Sequence, residues 1–222
     1  MNEMTRVIDT SLMQKAHALL RGRRSVRYYR SELPPADVLE RILASAAMAP
    51  SAHNRQPWRY FVVTDDGIKA RLADVMGVRL AADRRCDGDA EAAVRSDVIR
   101  SFQRITGAPV VIVVAMTLAE MDSYPDESRA RAEYLMAVQS TAMATQNLLL
   151  AAHAEGLGAC WMCAPLFCPS EVKLALGIPE DWQLQGLLTL GYPARPGKLK
   201  PRKPLSEFVI FADALGGRER SE

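Results

Sequence analysis

Apolar residues recur at helical spacing in three long stretches of the chain. Residues 10–20 predict a first helix, and a second opens at Pro35 and stops at Pro50. Residues 127–155 predict one long helix whose middle, 135–150, is apolar or small on nearly all sides. A helix of that kind normally lies in the centre of a core.

Short apolar runs lie between and after these helices and are typical of strands. They cover residues 58–63, 109–114, 159–163, 184–191 and 208–211. Helices interleaved with strands indicate an α+β or α/β sandwich built around a single core.

Two stretches are expected to leave this sandwich. Residues 83–107 are charged and poor in large apolar side chains, which predicts an excursion from the core. Residues 193–222 are expected to form a C-terminal arm that follows a domain of residues 1–192. The arm is stiffened by prolines, and its apolar run 208–211 is a candidate strand for pairing with another subunit.

Charge is nearly balanced over the chain but unevenly distributed. The 222 residues carry a net charge of +2, yet basic residues crowd at 21–30 and 195–203. Two such runs suit a small anionic ligand better than a long polyanion, which argues against nucleic-acid binding. Because no segment matches a signal peptide or a membrane span, we expect a cytoplasmic protein without a membrane partner.

The first group of candidate binding residues lies in the first basic run and consists of Arg23, Arg24, Ser25 and Arg27. Arginine presents a planar fork that matches phosphate oxygens, and a serine hydroxyl adds a further donor. In an extended segment, alternate side chains point the same way. The alternative is a solvated basic end of the first helix, which the helix dipole would also favour.

The second group lies in a proline-bounded loop between a helix and a strand and consists of Pro50, Ser51, His53, Asn54 and Gln56. Several of these side chains both donate and accept hydrogen bonds, as the uracil-like edge of a flavin ring requires. The alternative is an ordinary polar turn.

These two groups, together with GLGACW at 156–161, make the chain resemble the nitroreductase family in the order and spacing of its motifs. The resemblance extends from about residue 12 to 211. It implies an α+β three-layer sandwich, with a central mixed or antiparallel sheet between helices, a long core helix and an extended C-terminal arm. It also implies a homodimer with FMN in each of two clefts between the subunits.

The resemblance also assigns roles to particular positions. It places 23–27 and the basic pair Lys200 and Arg202 at the flavin phosphate and ring edge. It places Pro50, Ser51, His53 and Asn54 against the flavin of the other subunit, and Gln56 belongs to the same motif. Beside flavin N5 it places Cys163 and Ala164, where a backbone N–H makes the contact.

A closer resemblance is to the C-terminal, flavin-dependent domain of deazaflavin-cofactor biosynthesis proteins. It is carried by DSYPD at 122–126, by Glu133 and by the motif at 156–161. The ligase domain that precedes that domain is absent from this chain.

The function implied is hydride transfer from NAD(P)H to an electron-poor acceptor by a ping-pong mechanism. The acceptor would be a nitroaromatic, a quinone or a deazaflavin precursor. No side chain need act as a strong acid or base, because the flavin carries the chemistry. The alternative is a protein that binds or consumes a flavin without NAD(P)H-driven turnover.

The cysteines suggest a different chemistry that we discount. Cys160 and Cys163 form a C-x-x-C, but it lies on a strand pattern and not at a helix N-terminus, where thiolates are stabilised. With Cys168 there are three sulfurs and no matching second pair, so no metal site is predicted. Small apolar packing is the role expected for these cysteines.

Overall fold

A computed structural model of the chain describes residues 10–211. In that part of the chain it has six α-helices and four strands. The helices are α1 (Thr10–Gly22), α2 (Ala36–Ala46), α3 (Asp66–Cys86), α4 (Glu91–Thr106), α5 (Glu127–Ala154) and α6 (Pro169–Leu176). The strands are β1 (Trp58–Val63), β2 (Val110–Met116), β3 (Gly158–Met162) and β4 (Gln183–Gly191).

The four strands form one antiparallel sheet in the order β1-β2-β4-β3. The chain just after α1 extends the sheet beyond β3. There Ser25 bridges Ala159 in parallel, and the Val26 N–H donates to the Ala159 carbonyl at 3.0 Å. The expected mixed or antiparallel sheet is thus an antiparallel sheet with a short parallel addition at the β3 edge.

Helices cover both faces of the sheet, which explains why β2 is buried along its whole length. Val111 and Val113 face a core shared with α3 and α6, whereas Val110 and Ile112 face a core shared with α2 and α5. This arrangement confirms the predicted three-layer α+β sandwich and follows from the period-two alternation of a strand.

The long helix α5 forms with nearly the predicted bounds. The Asp126 carboxylate caps its first turn by accepting from the Arg129 N–H at 2.9 Å, and Gly156 follows its end with a φ of 78°. The helix is not enclosed on all sides, however. Its buried face is mostly small residues, whereas Leu135 and Met143 are 45% and 42% exposed. The expected long core helix is therefore confirmed, although part of its surface is exposed in one chain.

The charged stretch 83–107 is not an excursion, which corrects one expectation. It completes α3 and forms α4, whose Val94 and Ile105 are fully buried. The few apolar residues are spaced so that they meet the core, while the charges lie outside in ion pairs such as Arg79–Asp83 and Arg85–Glu91. Low apolar content therefore concealed an amphipathic helix.

The run 208–211 forms no strand within the described chain. The N–H groups of Phe208 and Val209 instead donate to the Leu205 carbonyl, so the chain closes into a turn. Ile210 remains 95% exposed. Between residues 10 and 211, no helix combines the length and the apolar character needed to cross a membrane.

Candidate functional site

The basic segment 23–27 is extended, as the phosphate-binding hypothesis requires. Val26 is its anchor, because its side chain is buried and its N–H bonds to β3. Gly158 allows the close approach, since a Cβ at that position would lie 2.6 Å from the Cβ of Val26. With Val26 fixed, the flanking polar side chains are directed away from the core.

The start of the arm returns to the same segment. The Arg30 N–H donates to the Tyr192 carbonyl, and the Ala194 N–H donates to the Tyr28 carbonyl, both at 2.9 Å. Gly197 then passes so close to Arg24 that an added Cβ would lie 2.4 Å from the Cβ of Arg24. The basic runs at the two ends of the chain are thereby brought together.

Between them lies a cleft of about 680 Å³, here called the basic cleft. Its lining includes Ser25 and eight cationic residues: Arg23, Arg24, Arg27, Arg104, Arg195, Lys198, Lys200 and Arg202. No acidic side chain lines it, and none of the eight cations forms an ion pair within residues 10–211. Such a surface favours an anionic ligand.

Sequence reasoning missed Arg104 as a site residue and left Arg195 and Lys198 out of the selected set. Arg104 belongs to the last turn of α4, in the stretch expected to leave the core. Its neighbour Ile105 is buried in the core cluster that also contains residues of α3, the helix against which α4 packs, and Arg104 lines the cleft from the same turn. The helical spacing of Val94 and Ile105 was the available signal.

Two ionisable groups lie close to the basic cleft. One is the thiol of Cys160 on β3, and the other is the phenol of Tyr29, which follows the segment 23–27. Burial raises the pKa of the Tyr29 phenol, whose oxygen bonds to Thr189 Oγ1 at 2.8 Å. Burial also raises the pKa of the Cys160 thiol, and this shift is opposed by the charges of Arg27, Arg104 and Arg23. Cys160 is therefore a neutral thiol near pH 7, which agrees with its expected packing role.

The 50–56 loop is braced against α5. The Ala52 N–H donates to Ser140 Oγ at 3.3 Å, and the Gln56 N–H donates to Ser51 Oγ at 3.0 Å. The φ angles of His53, Asn54 and Gln56 are 49°, 55° and 50°, a region that costs non-glycine residues energy.

An ion pair between the 50–56 loop and residue 122 supports this backbone. Arg55 Nη2 lies 2.7 Å from Asp122 Oδ1, and the Asp122 N–H donates at 3.1 Å to the buried carboxylate of Glu133. The side chains of His53, Asn54 and Gln56 point to solvent, and no loop residue lines the basic cleft of the same chain. One chain therefore does not unite the two predicted groups.

The predicted N5 segment follows the end of β3. Cys163 is exposed, and its Sγ accepts a hydrogen bond from Trp161 Nε1 at 3.0 Å, so the expectation of apolar packing is wrong for this cysteine. Cys168 is buried, and burial raises the pKa of its thiol to about 11. No group of three His, Cys, Asp or Glu residues in the described chain is arranged to hold a metal ion.

Comparison with known proteins assigns this architecture to one family. The model of the nitroreductase family matches residues 20–192. A 5,6-dimethylbenzimidazole synthase of Rhodospirillum rubrum is 31% identical over 195 residues, which are 84% of this chain and 86% of the relative.

Solved structures agree with the family match. Iodotyrosine deiodinase bound to FMN and 3-iodo-L-tyrosine is 25% identical, with a TM-score of 0.68 over 90% of this chain and 99% of that chain. An FMN-dependent nitroreductase of Mycobacterium smegmatis in complex with NADPH is 24% identical and shares the fold. Its TM-score is 0.69 over 91% of this chain and 100% of that chain.

Proposed function

Because the chain belongs to the nitroreductase family of flavin oxidoreductases, we propose that it binds FMN and passes hydride from NAD(P)H to an electron-poor acceptor. The observation that carries the proposal is the basic cleft, which joins Arg23, Arg24, Ser25 and Arg27 to Lys200 and Arg202 from the arm. These are the positions that the family resemblance assigns to the flavin phosphate. The iodotyrosine deiodinase with a similar fold is itself bound to FMN.

The donor set of the basic cleft fits a phosphate group. A phosphate monoester carries up to two negative charges near pH 7 and accepts several hydrogen bonds, and arginine matches its oxygens with two parallel donors. Because the cations of the cleft have no acidic partner in the described chain, a bound phosphate would neutralise charges that otherwise repel one another. FMN, with one terminal phosphate, suits this single cluster.

We propose that the working unit is a homodimer. The 50–56 loop does not line the basic cleft of its own chain, so a second copy would bring its loop to the flavin. The helix α1 has no buried residue, and its Met13 and Leu20 are exposed, as are Leu135 and Met143 of α5. Burying such side chains between subunits would provide a driving force for association.

Bound FMN would supply the redox chemistry, with its N5 atom accepting the hydride from NAD(P)H and delivering it to the acceptor. The chain's own residues bind and orient. Arg23, Arg24 and Arg27, with Lys200 and Arg202, would hold the phosphate and favour a negatively charged reduced ring. The backbone at Cys163 and Ala164 would contact the N5 edge, and Ser51 and Asn54 of the second copy would orient the ring. The donor and the acceptor would occupy the same face of the flavin ring one after the other, which gives a ping-pong order.

A second candidate is a protein that consumes its flavin. It is favoured by the 31% identity to a 5,6-dimethylbenzimidazole synthase, because the outer ring of a flavin is likewise a dimethylated benzene ring. In that case NAD(P)H would not drive repeated turnover. If the protein instead transfers hydride from NAD(P)H, the physiological acceptor would be a nitroaromatic, a quinone or a deazaflavin precursor.

Two measurements on the purified protein test the proposal. Mass spectrometry of the released chromophore is expected to identify FMN, and FAD, or no flavin at any loading, would contradict it. Under anaerobic conditions NADH or NADPH is expected to bleach the yellow protein, and an acceptor from a panel of quinones, nitroaromatics and deazaflavin precursors to restore the colour. After dioxygen is admitted as the oxidant, conversion of the reduced flavin to dimethylbenzimidazole would support the second candidate.

A further inference from the structure

A second cavity lies beside the basic cleft, between α4 and the start of the arm. Its volume is about 410 Å³, and its lining includes Arg27, Arg100, Arg104 and Arg195 with Tyr28 and Gln103. It shares Arg27, Tyr28, Arg104 and Arg195 with the basic cleft. We call it the α4 cavity.

The cations of the α4 cavity exceed what one flavin phosphate requires. The segment 23–27 and the pair in the arm already provide five cations for that phosphate. Arg104 and Arg195 add two more at the boundary of both cavities, and neither forms an ion pair within the described residues. Arg100, by contrast, pairs with Asp97. Unpaired arginines in a cavity without acidic lining indicate a second anionic group.

The surface next to the α4 cavity suits a nucleotide. A further hollow of about 680 Å³ continues along α4 and is lined by Tyr28, Ser96, Ile99 and Gln103, among others. The exposed ring of Tyr28 and the exposed side chain of Ile99 offer apolar contact for a base. Ser96 and Gln103 offer hydrogen-bonding groups. Arg195 lies 5.1 Å from the centroid of the Tyr28 ring, which fixes a cation beside this apolar surface.

We propose that the α4 cavity binds the 2′-phosphate of NADPH through Arg104 and Arg195, with the adenine placed against Tyr28 and Ile99. Arginine beside the ribose is a general means of accepting a 2′-phosphate in NADP-dependent enzymes. The inference rests on the proposed function, because it names the reducing cosubstrate of that same reaction. It makes NADPH the preferred donor over NADH.

Steady-state kinetics with the FMN-loaded protein tests the proposal in the variants Arg104→Gln and Arg195→Gln. Each substitution is expected to raise KM for NADPH by about tenfold or more, with KM for NADH nearly unchanged and a loss of FMN affinity smaller than that caused by Arg23→Ala. Arg71→Gln, which removes an exposed arginine on α3 away from the cavity, is the matched control and is expected to leave all three values unchanged. Thermal unfolding reports whether each variant is folded.

Calorimetric titration of the FMN-loaded protein with 2′,5′-ADP and 5′-AMP adds a test that needs no turnover. Tighter binding of 2′,5′-ADP, lost in Arg104→Gln, supports the proposal. Equal effects on NADPH and NADH, a main effect on FMN affinity, or equal binding of the two fragments would overturn it. If neither dinucleotide reduces the unsubstituted protein, the proposed function fails, while the titration still decides whether the cavity binds the 2′-phosphate.

Discussion

The basic cleft is lined by cationic side chains that form no ion pair within the described residues, whereas the 50–56 loop is fixed by hydrogen bonds and an ion pair. In the cleft, eight cations converge with no acidic side chain in the lining. In the loop, Ser51 accepts the Gln56 N–H, Ser140 accepts the Ala52 N–H, and Arg55 is paired with Asp122. Both regions come from motifs that the sequence presents in the same way, as short polar runs.

The two regions are therefore prepared for a ligand by different means. Repulsion among the cations of the cleft opposes folding, and a bound phosphate would relieve it, so ligand and protein stabilise each other there. The loop holds three non-glycine residues at positive φ, each at a cost of about 1–3 kcal/mol, and its internal bonds and braces offset that cost. Substitutions in the cleft should therefore change the electrostatic part of the affinity for the phosphate. Substitutions in the loop should change how firmly the loop is held in its binding conformation.

Among the changes that test this comparison, deletion of the chain after Pro193 is expected to lower FMN affinity the most. It removes four cations of the cleft, which are Arg195, Lys198, Lys200 and Arg202. Because each hydrogen bond to a charged group contributes about 1.5–3 kcal/mol, FMN affinity should fall by more than about a hundredfold. The deletion should also weaken the proposed dimer. Sedimentation and flavin titration measure the two effects.

A shorter deletion of residues 212–222 is the control for the arm, because it keeps every cation of the cleft. It is expected to retain most of the FMN affinity. If the protein cut after Pro193 remained a tight dimer with full FMN affinity, the arm would have no part in the site.

Substitution of single arginines in the cleft is expected to have the next largest effect. Arg23→Ala or Arg27→Ala should weaken FMN binding by about ten- to a hundredfold and leave the fold intact. Arg30→Ala is the matched control, because Arg30 is exposed, lines none of the cavities described above and holds its neighbour through its backbone N–H. Flavin titration at two salt concentrations measures the change, and equal affinities in all three variants would make the basic run a solvated surface.

The sequence predicted the buried elements of the fold well because their apolar content is high and their ends are marked. The strand β2 is an uninterrupted apolar run, the helix α5 is a long apolar and small stretch that Gly156 ends, and both form near their expected bounds. The stretch 83–107 was misjudged because α4 needs only Val94 and Ile105 as fully buried contacts, so its composition resembles that of a surface segment. Periodicity rather than apolar content carries the information there.

The candidate site could be predicted only as separate pieces. Each basic run is visible in the sequence, but their meeting depends on the backbone bonds of Arg30 and Ala194 and on the close approach of Gly197 to Arg24. No local pattern encodes such long-range contacts. The left-handed backbone of the 50–56 loop was also hidden, because His53, Asn54 and Gln56 are ordinary turn residues whose φ is set by bracing from Ser140 and Asp122.

The bracing of the 50–56 loop gives a smaller expected effect. Asp122→Ala releases Arg55, and half-exposed ion pairs of this kind contribute up to about 1 kcal/mol, so FMN affinity should fall by about two- to fivefold. Asp37→Ala, which breaks the exposed pair with Arg41 on α2, is the matched control with no expected effect on FMN. Flavin titration measures both variants. If they are equally without effect, the ion pair does not hold the loop for the flavin.

The smallest effect is expected from the thiols next to the two regions. Cys160 is buried among the arginines as a neutral thiol, so Cys160→Ala should leave a small cavity and lower stability by about 1 kcal/mol without slowing hydride transfer. Cys163→Ser keeps an acceptor for the Trp161 indole N–H and should change neither stability nor rate.

These cysteine variants test thiol chemistry separately from flavin binding. Both keep every charged side chain of the cleft and every hydrogen bond and ion pair that fixes the loop. Stopped-flow reduction of the bound flavin by NADPH under anaerobic conditions gives the rate, and thermal unfolding gives the stability. Cys86→Ser, at the exposed end of α3, is the control for handling of thiols. A variant at Cys160 or Cys163 that is folded and holds flavin normally, yet is no longer reduced, would show that the C-x-x-C takes part in the redox step. The description of the site as a charged cleft and a braced loop would then be incomplete, because it would omit a thiol that reacts.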